Sequence, residues 1–201
     1  MKCAILTILT ATAAAFAPSV VTKSSSALHM AFEDQLGAQK PLGFWDPVGF
    51  LKDADQERFD RLRYVELKHG RVAMLAFLGQ ITTRSGSHLP GNIDYAGTPF
   101  ASIPEGLAGL QAIPAEGLTQ MLLFVGFLEF FVMKDVTGKP EFDGDFRNNS
   151  LDFGWDIYFD DEQKLQKRAI ELSNGRAAMM AILGLMAHEQ IGGTFPLIGA
   201  M

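Results

Sequence analysis

Cysteine is almost missing: Cys3 is the single one among 201 residues. That excludes an internal disulfide, a CxxC zinc site and a paired redox motif. Basic charge is short as well, with 17 Lys and Arg against 23 Asp and Glu and a formal net charge of −6. A nucleic-acid footprint is therefore missing, and no nucleic-acid partner is expected. Four histidines are too few for a cluster of protein ligands around a transition metal. A Gly-x-Ser-x-Gly elbow is absent too, and beyond Cys3 there is no Cys, which makes a nucleophilic hydrolase a poor reading. What the chain has in quantity is apolar and aromatic: 48% hydrophobic residues, 20 Gly and 16 Phe. That mix is too apolar for a disordered chain, and the length suits one ordinary domain.

Acidic residues are missing from the first 32 positions. Lys2 precedes an apolar run from Ile5 to Ala17, which Pro18 ends. The run has the length of a signal-peptide core and is too short for a stable membrane anchor. A Ser-rich, lightly basic stretch follows, including Thr22, Lys23, Ser24, Ser25, Ser26 and His29. Two sequential targeting steps fit this order, with a plain secretory signal as the alternative. Residues 1–30 are thus expected to be a removed presequence, with the mature domain at 31–201.

Proline punctuates the remainder and leaves two long free windows, 48–89 and 141–195, where a long helix is permitted. Residues 84–116 are rich in Gly and Pro and predict an irregular connection. Gly117 to Met133 is almost wholly apolar and, as a helix, reaches roughly 26 Å, close to a hydrocarbon core. An internal repeat is the strongest feature. Glu66-Leu-Lys-His-Gly-Arg-Val-Ala-Met-Leu-Ala-Phe-Leu-Gly79 aligns without gaps on Glu171-Leu-Ser-Asn-Gly-Arg-Ala-Ala-Met-Met-Ala-Ile-Leu-Gly184, with nine of fourteen positions identical at an offset of 105. Gly43-Phe-Trp-Asp46 echoes Phe153-Gly-Trp-Asp156, and these hold the only two Trp. A duplicated helix predicts a pseudo-two-fold pair.

Hydropathy leaves membrane insertion open. The uninterrupted apolar stretches after the two motif arginines are Val72 to Gly79 and Ala177 to Ala187, both below the usual 18 residues. Either the helices form a soluble bundle, or the motif charges enter the bilayer with partners. Glu66 and Arg71 lie about 140° apart around a helix and do not face each other, nor do Glu171 and Arg176. Two related helices crossing here could exchange them, Glu66 with Arg176 and Glu171 with Arg71. Gly70, Ala73, Gly175 and Ala178 would permit the approach. Solvated surface charges are the alternative.

His69 stands three residues after Glu66, and Asn174 three after Glu171, so each is its glutamate's neighbour. Histidine and asparagine share a neutral lone pair that can coordinate a metal. One such donor per site suits a metal whose other ligands come from a ring, such as the magnesium of a chlorophyll. Core packing or hydrogen bonding is the competing reading.

The paired motifs at 66–71 and 171–176 resemble the signature of the light-harvesting chlorophyll-binding superfamily, with the fucoxanthin–chlorophyll a/c proteins the nearer match. Gly43-Phe-Trp-Asp-Pro47, Asp60-Arg-Leu-Arg-Tyr-Val-Glu66, Lys134-Asp-Val-Thr-Gly-Lys-Pro140, Leu151-Asp-Phe-Gly-Trp-Asp156 and His188-Glu-Gln190 extend the likeness over essentially all of 31–201. Ala15-Phe16-Ala17-Pro18 likewise resembles the processing site of proteins sent to secondary plastids in diatoms and related algae. The resemblance implies an all-α membrane protein of three transmembrane helices, the first and third crossing and the second, 117–133, beside them. It implies His69 and Asn174 as ligands of chlorophyll magnesium, and Glu66 and Glu171 as ligands balanced by Arg176 and Arg71. Glu129 and, more loosely, Gln120 match ligand positions on the middle helix. His188, in place of a Gln in green-plant relatives, is a further ligand; a histidine at a helix C-terminus is its plainer reading. Trp45 and Trp155 are expected in turns that help hold carotenoids or anchor the membrane interface.

The implied function is light capture: chlorophyll a, chlorophyll c and fucoxanthin, with a xanthophyll-cycle carotenoid as a further candidate, would be held at fixed distances in a plastid thylakoid membrane. Excitation would pass to a photosystem core, among other antenna subunits and membrane lipid, without covalent chemistry and so without enzyme activity. A photoprotective, heat-dissipating member of the superfamily is the near alternative. A proton-linked membrane transporter is the alternative of a different class, since intramembrane acids mark proton routes.

Overall fold

The computed structural model describes residues 32–52, 54–137, 140–147, 154–192, 194–195 and 199–200. The expected presequence lies outside them.

Helix α1 runs from Gln56 to Arg84 and follows Asp55, whose carboxylate accepts the Arg58 N–H at 2.9 Å. Glu57 in the first turn and Arg84 in the last complement the helix dipole. The chain then turns through Gly86, whose φ of +82° a residue with a Cβ rarely adopts. The expected irregular connection follows but is not wholly irregular: it contains a 3-10 turn, Phe100–Ser102, and a short helix α2, Leu107–Ala112. Helix α3, Ala115–Phe127, continues as a π-helical turn over Leu128–Val132. A four-residue helix α4, Trp155–Tyr158, leads to α5, Asp161–Ile191. Asp160 stands at the start of α5 as Asp55 does at α1, and Gly192 at φ +71° closes it. The repeat thus extends to the N-cap positions, since Asp55 with Glu57 and Asp160 with Glu162 keep the offset of 105, although only Asp55 makes a side-chain cap hydrogen bond. Thr194–Phe195 and Gly199–Ala200 pair as two antiparallel two-residue strands, β1 and β2, a small departure from a wholly helical chain.

Helices α1 and α5 pack on each other through equivalent residues. Leu67, Gly70 and Ala73 are buried in α1, and Leu172, Gly175 and Ala178 in α5. A Cβ on Gly70 would lie 3.0 Å from the Gly175 Cα, and one on Gly175 would lie 3.0 Å from the Gly70 Cα. That reciprocity is the mark of a pseudo-two-fold axis, and it rests on backbone approach that only small residues allow. Before α1, Phe32 is 1% exposed and stacks on Phe59 at 4.4 Å.

The rest of the apolar surface faces outward. Leu122, Leu123, Phe130 and Phe131 of the α3 segment are 68–76% exposed, and Leu75 and Met180 of the crossed pair are 70% and 71%. Monomeric soluble proteins rarely present contiguous apolar area on this scale. Among the described residues one helix, Ala115–Val132, is long and apolar enough to cross a bilayer, and 6% of it is buried.

Candidate functional site

At the crossing, each helix supplies the other's counter-ion. Arg176 Nε donates to Glu66 Oε1 at 2.6 Å, and Arg71 Nε donates to Glu171 Oε1 at 2.6 Å. Each arginine also ties down a loop: Arg176 Nη1 donates to the Gly37 carbonyl at 2.8 Å and Arg71 Nη1 to the Gly144 carbonyl at 2.7 Å. The symmetry ends at a third partner. Arg63 Nη1 donates to Glu66 Oε2 at 2.7 Å, while Arg168, its equivalent at an offset of 105, lies over the Phe142 ring at 4.3 Å. Sequence reasoning passed over Arg63, although its spacing of three from Glu66 was readable.

His69 is exposed, one residue from the contact glycine and so about 100° round the helix from it. Its Nδ1 lies 2.8 Å from the Val65 carbonyl. A carbonyl can only accept, so Nδ1 carries a proton, and in the neutral imidazole Nε2 keeps its lone pair. Asn174 is exposed in the same relation to Gly175. Neither His69 Nε2 nor the Asn174 amide meets a hydrogen-bond partner among the described residues.

Glu129 lies on the π-helical turn, and its carboxylate takes the ammonium of Lys68, which joins the α3 segment to α1. Nothing in the sequence pairs these two; only helix packing does. Gln120 is exposed on α3, and His188 is exposed in the last turn of α5, away from the crossing. At that end Glu189 accepts from Arg84 Nη2 at 3.2 Å and from the Leu107 N–H at 2.7 Å, so it holds the connection containing α2. Arg84 and Glu189 also differ by 105, opposite charges at equivalent places.

The two tryptophans flank two cavities. Trp45, 68% exposed, edges one of about 270 Å³ that reaches Glu66 and Arg176. Its turn is held by Asp46, whose carboxylate accepts the N–H groups of Gly49, Phe50 and Leu51 at 2.8–3.1 Å. Trp155 edges the other, of about 460 Å³, with Phe142, Phe146, Arg71 and Glu171. Its indole N–H is buried and meets no acceptor among the described residues. Such a donor costs about 1–3 kcal/mol unless a ligand oxygen takes it.

Arg147 shapes the same wall, 5.5 Å from the Trp155 ring. Its bonds to Asp145 hold that carboxyl down to about 2 from the usual 3.8. A depressed acid stabilises the fold above its unfolded pKa and loses that stability as pH falls through the folded one. The Arg147–Asp145 contribution is therefore expected to be full at pH 6 and to fade between about pH 4 and 2. A thermal-melting series over that window checks it; Asp145→Asn should flatten the profile, and an unchanged profile would contradict the pairing.

Crossed helices, reciprocal ion pairs and outward lone-pair donors define a scaffold for ligands on its outer faces. The chain belongs to the chlorophyll A-B binding protein family, whose pattern matches residues 32–190. It is 66% identical over 204 residues, covering all of both chains, to the chloroplastic fucoxanthin-chlorophyll a-c binding protein of Trieres chinensis. It is 58% identical over 193 residues to fucoxanthin-chlorophyll a-c binding protein A of Phaeodactylum tricornutum, covering 96% of this chain and 97% of that one. To protein F of that name in Macrocystis pyrifera it is 54% identical over 176 residues, covering 86% and 82%.

Proposed function

We propose that this chain is a light-harvesting antenna protein of the plastid thylakoid membrane. It binds chlorophyll a, chlorophyll c and fucoxanthin, passes excitation to a photosystem through neighbouring antenna subunits, and catalyses no reaction. Residues 1–30 are a bipartite plastid presequence removed before assembly. The α1, α3 and α5 segments cross the membrane, since the reciprocal pairs neutralise the four motif charges that would otherwise forbid α1 and α5 from entering it.

The observation that carries the reading is the lone-pair donor beside each neutralised glutamate. Among the described residues there is no group of three or more His, Cys, Asp or Glu able to hold a bare ion. A metal held here must arrive with ligands of its own, and a chlorophyll magnesium does, needing one axial donor. His69 Nε2 and the Asn174 amide oxygen fit that demand. Glu66 and Glu171 fit it through carboxylate lone pairs that the arginines leave open. Glu129, balanced by Lys68, is a further ligand, with Gln120 and His188 at positions of their own. The orphaned Trp155 N–H fits a carotenoid oxygen seated in the 460 Å³ cavity, and Trp45 edges the corresponding one. When bound, the pigments supply absorption and excited states; the protein fixes their spacing and orientation and keeps water from the rings.

His69→Leu, refolded with chlorophyll a, chlorophyll c and fucoxanthin, is expected to lose one chlorophyll per chain while keeping its helix content. His69→Asn, which restores a neutral lone pair, should regain it. Pigment chromatography against protein mass reads the difference, and a full complement in His69→Leu would remove the ligand from the account.

A further inference from the structure

One further cavity lies apart from both tryptophans. It measures about 660 Å³ between the last turns of α1 and the connection carrying α2. We propose that it seats the ring of an additional chlorophyll, with His88 as the axial ligand to its magnesium. This rests on the antenna reading above.

Three features of the cavity point there. Its volume falls within the roughly 300–1,000 Å³ of sites that bury an organic ligand. Its walls are mostly apolar: Leu89, Phe100, Ile103 and Leu110 line it, with Gln80, Ser87 and Glu105 as the polar part of the rim. The threonines of α1 add no free polarity, because Thr82 Oγ1 donates to Gly79 O at 2.9 Å and Thr83 Oγ1 to Gly79 O at 3.0 Å, which leaves their methyl groups as wall. Against that background His88 stands out. It lines the cavity, and neither ring nitrogen meets a hydrogen-bond partner among the described residues. An unpartnered imidazole beside an apolar slot offers the same chemistry as His69. A bare cation is not served, since among the described residues no group of three or more acids, histidines or cysteines accompanies it. Gly79 leaves the slot open, with no atom within 4 Å of where its Cβ would stand.

The test refolds the full chain with chlorophyll a, chlorophyll c and fucoxanthin and counts pigments per protein. His88→Leu is expected to bind one chlorophyll fewer than the unaltered chain, and His88→Gln to regain it. Gly79→Leu, which adds a bulky side chain to the cavity's lining, should lose the same chlorophyll without disturbing the His69 site. The difference absorption spectrum should show one chlorophyll band missing in both. Full chlorophyll in His88→Leu, or loss of a carotenoid instead, overturns the proposal and leaves the antenna reading standing. An unaltered chain that takes up no chlorophyll overturns both.

Discussion

Gly70→Leu is expected to abolish the pigment complex, and Gly175→Leu to do the same. The atom a new Cβ would meet at 3.0 Å is backbone of the facing helix, which no rotamer change can move aside. Overpacking a core costs about 1–3 kcal/mol where side chains can yield; here the helices themselves must separate. Separation would stretch both 2.6 Å ion pairs, Arg176 with Glu66 and Arg71 with Glu171, because they bridge the same crossing. The loops held through Gly37 and Gly144 would loosen with them. Refolding yield measured on a sucrose gradient should fall to near nothing for Gly70→Leu, while Gly70→Ala should retain a fraction of it. A Gly70→Leu complex of normal yield and pigment content would contradict the close crossing.

Removing Arg71 is expected to do more damage than removing Arg176, despite their equivalent places in the repeat. Arg71→Leu leaves Glu171 with no ion-pair partner among the described residues and only the longer-range field of Arg168 to offset its charge, a loss that is strongly destabilising inside a membrane. Arg176→Leu leaves Glu66 with Arg63, still 2.7 Å away. Complex yield should therefore be lost in Arg71→Leu and reduced in Arg176→Leu, and Arg63→Leu added to Arg176→Leu should bring the second down to the first. Glu171→Gln placed on Arg71→Leu should recover assembly, because it removes the stranded charge. Equal yields for the two single variants would mean that Arg63 contributes nothing, and normal yields for both would contradict reciprocal pairing altogether.

The crossed pair was legible because a duplication writes the same constraint twice. Identical Glu, Gly and Arg at an offset of 105 pointed to exchange between helices, since about 140° separates the two charges within one helix. The caps at Asp55 and Asp160 and the Arg84–Glu189 pair obey the same offset and were readable in principle. Lys68 with Glu129 was not, because it joins a repeated helix to the unrepeated α3 segment, whose rotation no pattern in the sequence records. The cavity beside His88 was hidden for a similar reason. Gly and Pro in 84–116 announced a connection, but not that Phe100, Ile103 and Leu110 would turn toward the end of α1. Trp45 and Trp155 matched as words in the sequence and differ in place. One is largely exposed, while the other is lodged against Phe142, Phe159 and Arg147.

Chlorophylls and fucoxanthin held on this chain are expected to lie close enough to share excitation. A fluorescence-excitation spectrum tests it most directly, taken on the protein purified from its native membrane in mild detergent and monitored at chlorophyll a emission. Strong emission is expected when light is absorbed in the fucoxanthin and chlorophyll c bands, with the excitation spectrum following the absorption spectrum. Pigments that absorb but yield only weak, short-lived emission in unaggregated protein would replace harvesting with heat dissipation. A gently extracted protein without pigment would contradict the account and return the membrane acids to a transport reading.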